Sequence, residues 1–125
     1  MAPFVTVDTS QWPTALVTFR TEPNDMQEFE TYLQQLDNLY NKKSRFNLVF
    51  DATEIGSLPM LYLMKQITHM RENEKLSQQW IYKAAIIFNQ QITLQLIDFL
   101  LHLSKPVVPV KCFPTFEDAF EWLYV

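Results

Sequence analysis

Two hydrophobic periods alternate along this chain, and their alternation limits the folds open to it. Short β-branched or aromatic runs, where every second side chain can share a face, are separated by longer segments whose apolar residues return every three or four positions. The short runs are "FVTVD" at 4–8, "ALVTFR" at 15–20, "FNLVFD" at 46–51, "KAAIIF" at 83–88 and "VVPVKCF" at 107–113. The first two are separated only by a turn containing Pro13, which predicts a hairpin. "KAAIIF" is apolar on both faces and reads as a central strand. Pro109 cannot donate to a ladder and places the last run at an edge.

Four helices fall between and after these strands. After Pro23, Asn24 or Asp25 can cap a helix running to about Tyr40, with Met26, Phe29, Leu33, Leu36 and Tyr40 on one stripe. Pro59 suits the first turn of a second helix, which runs to about Glu74. Its apolar arc of Met60, Leu61, Leu63, Met64, Ile67 and Met70 is expected to face the core. Tyr62, Lys65, Gln66, His69 and Glu72 are expected to face away. "NQQITLQLIDFLLHLS" at 89–104 is the third helix, and Thr115 followed by Asp118 caps the last. The order is ββαβαβαβα. It predicts an α/β fold: a five-stranded mixed, mostly parallel sheet with an N-terminal β-hairpin and four main helices, in a single domain over residues 1–125.

Composition closes off several chemistries. One glycine cannot build a glycine-rich phosphate loop. A net charge of −4 gives no nucleic-acid footprint, and the one basic cluster, "NKKSR" at 41–45, reads as a solvated turn. His69, His102 and Cys112 have no metal-ligand spacing, so His69 is expected as an exposed surface histidine and Cys112 as a small edge-strand residue. No cofactor or metal is expected. A lone cysteine and the lack of a basic start followed by an apolar stretch fit a cytoplasmic protein. The longest apolar region, at 92–103, falls short of the roughly 20 residues of a membrane span.

Attention settles on the junction after the third strand, since carboxylates at strand C-termini are where α/β sites collect. Asp51, Thr53 and Ser57 form the candidate switch or contact loop. A receiver domain would also pair such an aspartate with a lysine, here Lys111, but the paired acids of that family are missing. The structural alternative is that Asp51 accepts hydrogen bonds from its own loop and fixes the turn.

"RFNLVFDATEI" at 45–55 resembles the strand and turn of STAS domains and SpoIIAA-like proteins. "KAAIIF" resembles a later strand of that group, and "VKCFPTFEDAFEWL" at 110–123 resembles its closing motif. The likeness is nearest to the divergent SpoIIAA-like branch. It implies a non-enzymatic regulatory domain that docks a protein partner. In the bacterial anti-sigma antagonists of that group, a phosphorylated serine in a DSSG context opens the helix after the third strand. Here the stretch is "GSLPML" at 56–61, with Met60 and Leu61 at that place. Ser57 is the nearby hydroxyl, and it serves equally as a turn or cap residue. The alternative function is a small apolar-ligand or lipid-binding domain, as in the related CRAL-TRIO folds. Leu94, Ile97 and Leu101 form a second apolar stripe on the third helix, a candidate interface for self-association as a homodimer.

Overall fold

The computed structural model describes residues 3–54, 60–88, 102, 105 and 107–124. Five strands form one sheet in the order β1-β2-β3-β4-β5: Val5–Asp8, Thr14–Phe19, Phe46–Asp51, Ile81–Ile87 and Val110–Phe113. The β1–β2 pair is antiparallel and the other three pairs are parallel. This is the α/β sheet that the alternating periods predict, with β4 internal and β5 at an edge. The Pro109 carbonyl still accepts the Ala84 N–H at 2.9 Å, just before β5 begins.

Helix α1 (Met26–Asn38) starts at Asp25, whose carboxylate accepts the Glu28 N–H at 2.8 Å. Glu28 in turn accepts the Asn24 N–H at 3.2 Å, which pins the chain just ahead of the cap. Of the expected stripe Phe29, Leu33 and Leu36 are buried and Met26 half-buried, Tyr32 joins them, and Tyr40 falls in the 3-10 turn Leu39–Lys42 that follows the helix. They meet Ala15, Val17 and Phe19 of β2, Phe46, Leu48 and Phe50 of β3, and Ala84 of β4. Fully burying a phenylalanine such as Phe29 contributes roughly 1.5–3 kcal/mol.

Across the sheet, α4 (Phe116–Tyr124) covers a smaller core. Ala119 and Leu123 pack on Val49, Ala85, Ile87 and Phe113, with Phe116, Phe120 and Trp122 partly buried around them. The Asp118 N–H donates to Thr115 Oγ1 at 3.2 Å, the cap expected from the sequence.

The middle of the chain departs from expectation in two ways. The second helix does not run unbroken to the next loop. Helix α2 spans Met60–Glu72, and α3 spans Glu74–Trp80. Between them Asn73 leaves helical geometry at φ −104° and ψ 26°. Helix α3 has no apolar stripe to announce it: its buried residue is Ser77, held by the Tyr40 hydroxyl at 3.0 Å, while Leu76 is exposed.

The second departure is the rotation of α2. Leu61 and Met64, expected in the core, are 65% and 46% exposed. Tyr62, Gln66 and His69, expected in water, line the seam with α1. The Tyr62 ring lies 5.0 Å from Phe29, and Gln66 Oε1 accepts the Tyr32 hydroxyl at 2.7 Å. His69 Nε2 lies 2.9 Å from Asp37 Oδ1, so His69 is a half-buried partner of α1 and not a free surface residue. Positions 62, 66, 69 and 73 follow the helical repeat as faithfully as the apolar arc does. The polar stripe prevails because Tyr62, Gln66 and His69 each find a partner on α1, which offsets much of the cost of burying them. The third expected helix, at 89–104, lies outside the described residues apart from His102, which is exposed.

Candidate functional site

The junction from β3 to α2 is built from the ends of two neighbouring parallel strands. Asp51 closes β3, opposite Thr18 of β2 in register, and both side chains are buried. Asp51 Oδ1 accepts the Thr53 N–H at 2.9 Å and the Thr53 hydroxyl at 2.7 Å. The carboxylate therefore folds the chain back over itself immediately after the strand, a local aspartate turn. The Ala52 N–H continues the ladder for one more residue, donating to the Ile87 carbonyl at 2.9 Å. One position on, Glu54 takes both oxygens to Arg20 Nη1, at 2.9 and 3.1 Å. That pair is about half exposed on each side, so its stability value is small, but it ties the loop to the end of β2.

The arrangement can hold residues 51–54 against the end of β2. Asp51 and Thr53 meet as neighbours, and Arg20 and Glu54 join them. Those last two escaped notice because nothing in the linear pattern links position 20 to position 54. Lys111 stands on β5, two strands from Asp51, with its ammonium 5.6 Å from the Phe113 ring centre. Cys112 is half-buried on β5. Ser57, Leu94, Ile97 and Leu101 lie outside the described residues. Among the described residues, no three His, Cys, Asp or Glu side chains converge on a point that could hold a metal. Nor is any described helix long and apolar enough to cross a membrane.

Beyond the loop, α2 begins with its apolar flank turned outward. Leu61 and Met64, one turn apart, share an exposed face. On the opposite flank the α1–α2 seam is polar and largely paired, with Gln66 Nε2 the buried exception among the described residues. Lys65 reaches Glu30 at 3.6 Å, and Asn73 Nδ2 donates to the His69 carbonyl at 2.9 Å. Burial pushes the Tyr32 hydroxyl well above the ordinary tyrosine range. Tyr40 is raised as well, by burial and in spite of its Ser77 hydrogen bond.

Among the described residues a hairpin leads into three parallel strand pairs, with α1 packed on one face of the sheet and α4 on the other. An uncharacterized protein of the DUF3478 family from Shewanella loihica PV-4, solved with a SpoIIAA-like fold, superposes with a TM-score of 0.67. The match covers 95% of this chain and 91% of that one at 16% identity. The chain belongs to DUF7793, a domain of unknown function whose family model matches residues 38–125. No curated protein matches it.

Proposed function

We propose that the chain is a non-enzymatic interaction domain that docks a protein partner, or a second copy of itself, through the start of α2. The observation behind this reading is the outward placement of Leu61 and Met64 at the start of α2, the helix that follows the β3 end where Asp51 and Glu54 are held. Two large apolar side chains held in water by a fixed helix are poorly explained by folding alone. A partner helix or loop set against them would remove that surface from water. The Asp51–Thr53 turn fixes the direction in which the chain leaves β3, a positioning role for Asp51 and Thr53.

The alternative, a small apolar-ligand or lipid binder, draws less support. The described cavity between β1 and α1, about 400 Å³, is lined in part by Asp25 and Glu28. The one beside α4, about 480 Å³, is lined by Lys83, Lys111, Asp118 and Glu121 as well as by rings. Both have charged walls where an apolar ligand would need dry ones.

The test is native mass spectrometry and sedimentation of the purified chain, alone and after incubation with a lysate-derived partner identified by affinity capture, for wild type and Leu61→Glu/Met64→Glu. A complex lost in the variant, with melting unchanged, supports the reading. A complex indifferent to the variant, or a tightly retained small molecule in its place, refutes it.

A further inference from the structure

The turn "NKKSR" at 41–45 is braced in a way that a merely solvated turn does not need. Lys42 Nζ sits 5.0 Å from the Trp12 ring centre, and the Arg45 guanidinium 4.2 Å from that of Tyr82. The Trp12 indole N–H donates to Ser44 Oγ at 3.0 Å, while its ring packs on Phe46 at 4.9 Å and so roots the turn in the core. Lys43 takes a left-handed conformation at φ 55°, and its N–H returns to the Tyr40 carbonyl at 3.2 Å. Lys42, Lys43 and Arg45 are all exposed. Among the described residues, none of the three belongs to an ion pair. Asp8, the last residue of β1 and an exposed carboxylate, accepts the Ser10 N–H at 2.8 Å and makes no ion pair with them among the described residues.

These groups gather at the end of the sheet where β2, β3 and β4 begin. Tyr82 is 53% exposed there, and Val107, just before β5, is exposed as well. The chain as a whole carries −4, so this cluster runs against the overall balance; at the opposite end Glu22, Asp25 and Glu28 stand unneutralised by an ion pair among the described residues, while Glu54 is paired with Arg20. Neither described cavity reaches it. Fixed cations beside an exposed Tyr82 ring and a half-buried Trp12, outside both described cavities, match a broad anionic surface better than a small anion. The cations already lie against a face of each ring, which disfavours a nucleic acid that would stack its bases there.

We propose that this end docks onto an anionic lipid surface, with Lys42, Lys43 and Arg45 against the headgroups and the Trp12 and Tyr82 rings at the interfacial level. Cations near such a surface are drawn by its negative potential, and Trp and Tyr suit a boundary that is apolar on one side and wet on the other. The cation–ring contacts order the long side chains beforehand, so little freedom is lost on docking. The acidic far end is repelled by the same surface and sets the orientation.

The test is flotation of the purified full chain with vesicles of phosphatidylcholine, alone or mixed with phosphatidylserine. Wild type should float only with the mixed vesicles and should be released by high salt. Lys42→Glu/Arg45→Glu should weaken binding at least about tenfold. The charge-matched control Lys65→Glu/Lys111→Glu should not. Lys43→Glu, which breaks no ring contact and so threatens the fold least, should give a loss of several-fold. Absence of wild-type flotation overturns the proposal, as does an equal loss in the control. Binding of an acidic peptide or an oligonucleotide without vesicle recruitment also overturns it.

Discussion

Substituting Tyr32→Phe and Gln66→Leu, singly and together, tests the rotation of α2 directly. In the structure Tyr32 is almost fully buried and gives its hydroxyl proton to Gln66 Oε1 at 2.7 Å. Gln66 Nε2 is buried without a partner among the described residues. Tyr32→Phe leaves the amide with neither end satisfied, which should cost about 1–3 kcal/mol. Gln66→Leu strands the tyrosine hydroxyl at a similar cost of about 1–3 kcal/mol, partly offset because the orphaned amide nitrogen disappears. The double variant removes both polar partners. It should lie within about 1 kcal/mol of wild type, giving a coupling of about 1–3 kcal/mol between the two positions. Urea unfolding with an unchanged slope reads these values directly. If Gln66 faced water, as its place opposite the apolar arc predicts, Gln66→Leu would change stability by no more than about 0.5 kcal/mol, and the two substitutions would add. Additivity within about 0.5 kcal/mol would refute the seam as described.

Two further outcomes follow from the same geometry. Burial raises the Tyr32 and Tyr40 hydroxyls above their ordinary value of 10, so the unfolded chain loses these protons first, and the stability present below pH 10 falls as pH rises beyond it. Tyr32→Phe should flatten that alkaline decline by up to about 1.4 kcal/mol per pH unit, and an unchanged slope in pH-dependent urea melts would count against a buried neutral hydroxyl. At the loop, Asp51→Ala removes the acceptor of two hydrogen bonds and should cost about 1–3 kcal/mol, whereas Arg20→Gln should cost no more than about 1 kcal/mol because its ion pair is half in water. A reversed order in thermal melting would mean that the ion pair, and not the aspartate turn, holds the loop.

The sheet was legible in the sequence because its signals are local. "FNLVFD" and "KAAIIF" carry their strand character in adjacent residues, and the proline before β5 marks an edge from its own chemistry. The cap at Thr115 and the stripe of α1 were readable for the same reason. At the candidate site the Asp51 turn could be anticipated, since donor and acceptor stand two residues apart. What could not be read depends on distant partners. The choice between the two stripes of α2 rests on Tyr32 and Asp37, about thirty positions away, and each stripe alone has acceptable helical spacing. Helix α3 was missed because its one buried side chain is a serine, whose partner Tyr40 belongs to another element. Large apolar residues at 61 and 64 suggested core, but spacing gives a helix's period and not its phase about the axis.

The strand order β1 to β5 in space repeats the order in the chain. Any N-terminal portion that ends after a strand can therefore already be a sheet, lengthened at one edge by each unit that follows. No strand has to be threaded between two others, so pairing errors that insert a late strand in the wrong slot have little opportunity. The vulnerable stage comes late. Until 110–124 is in place, β4 has an open hydrogen-bonding edge, and Val49, Ala85 and Ile87 form a wet apolar strip on the face that α4 will cover. One stretch of fifteen residues seals both, which makes it the place where slow synthesis or early cleavage would turn an ordered intermediate into a sticky one.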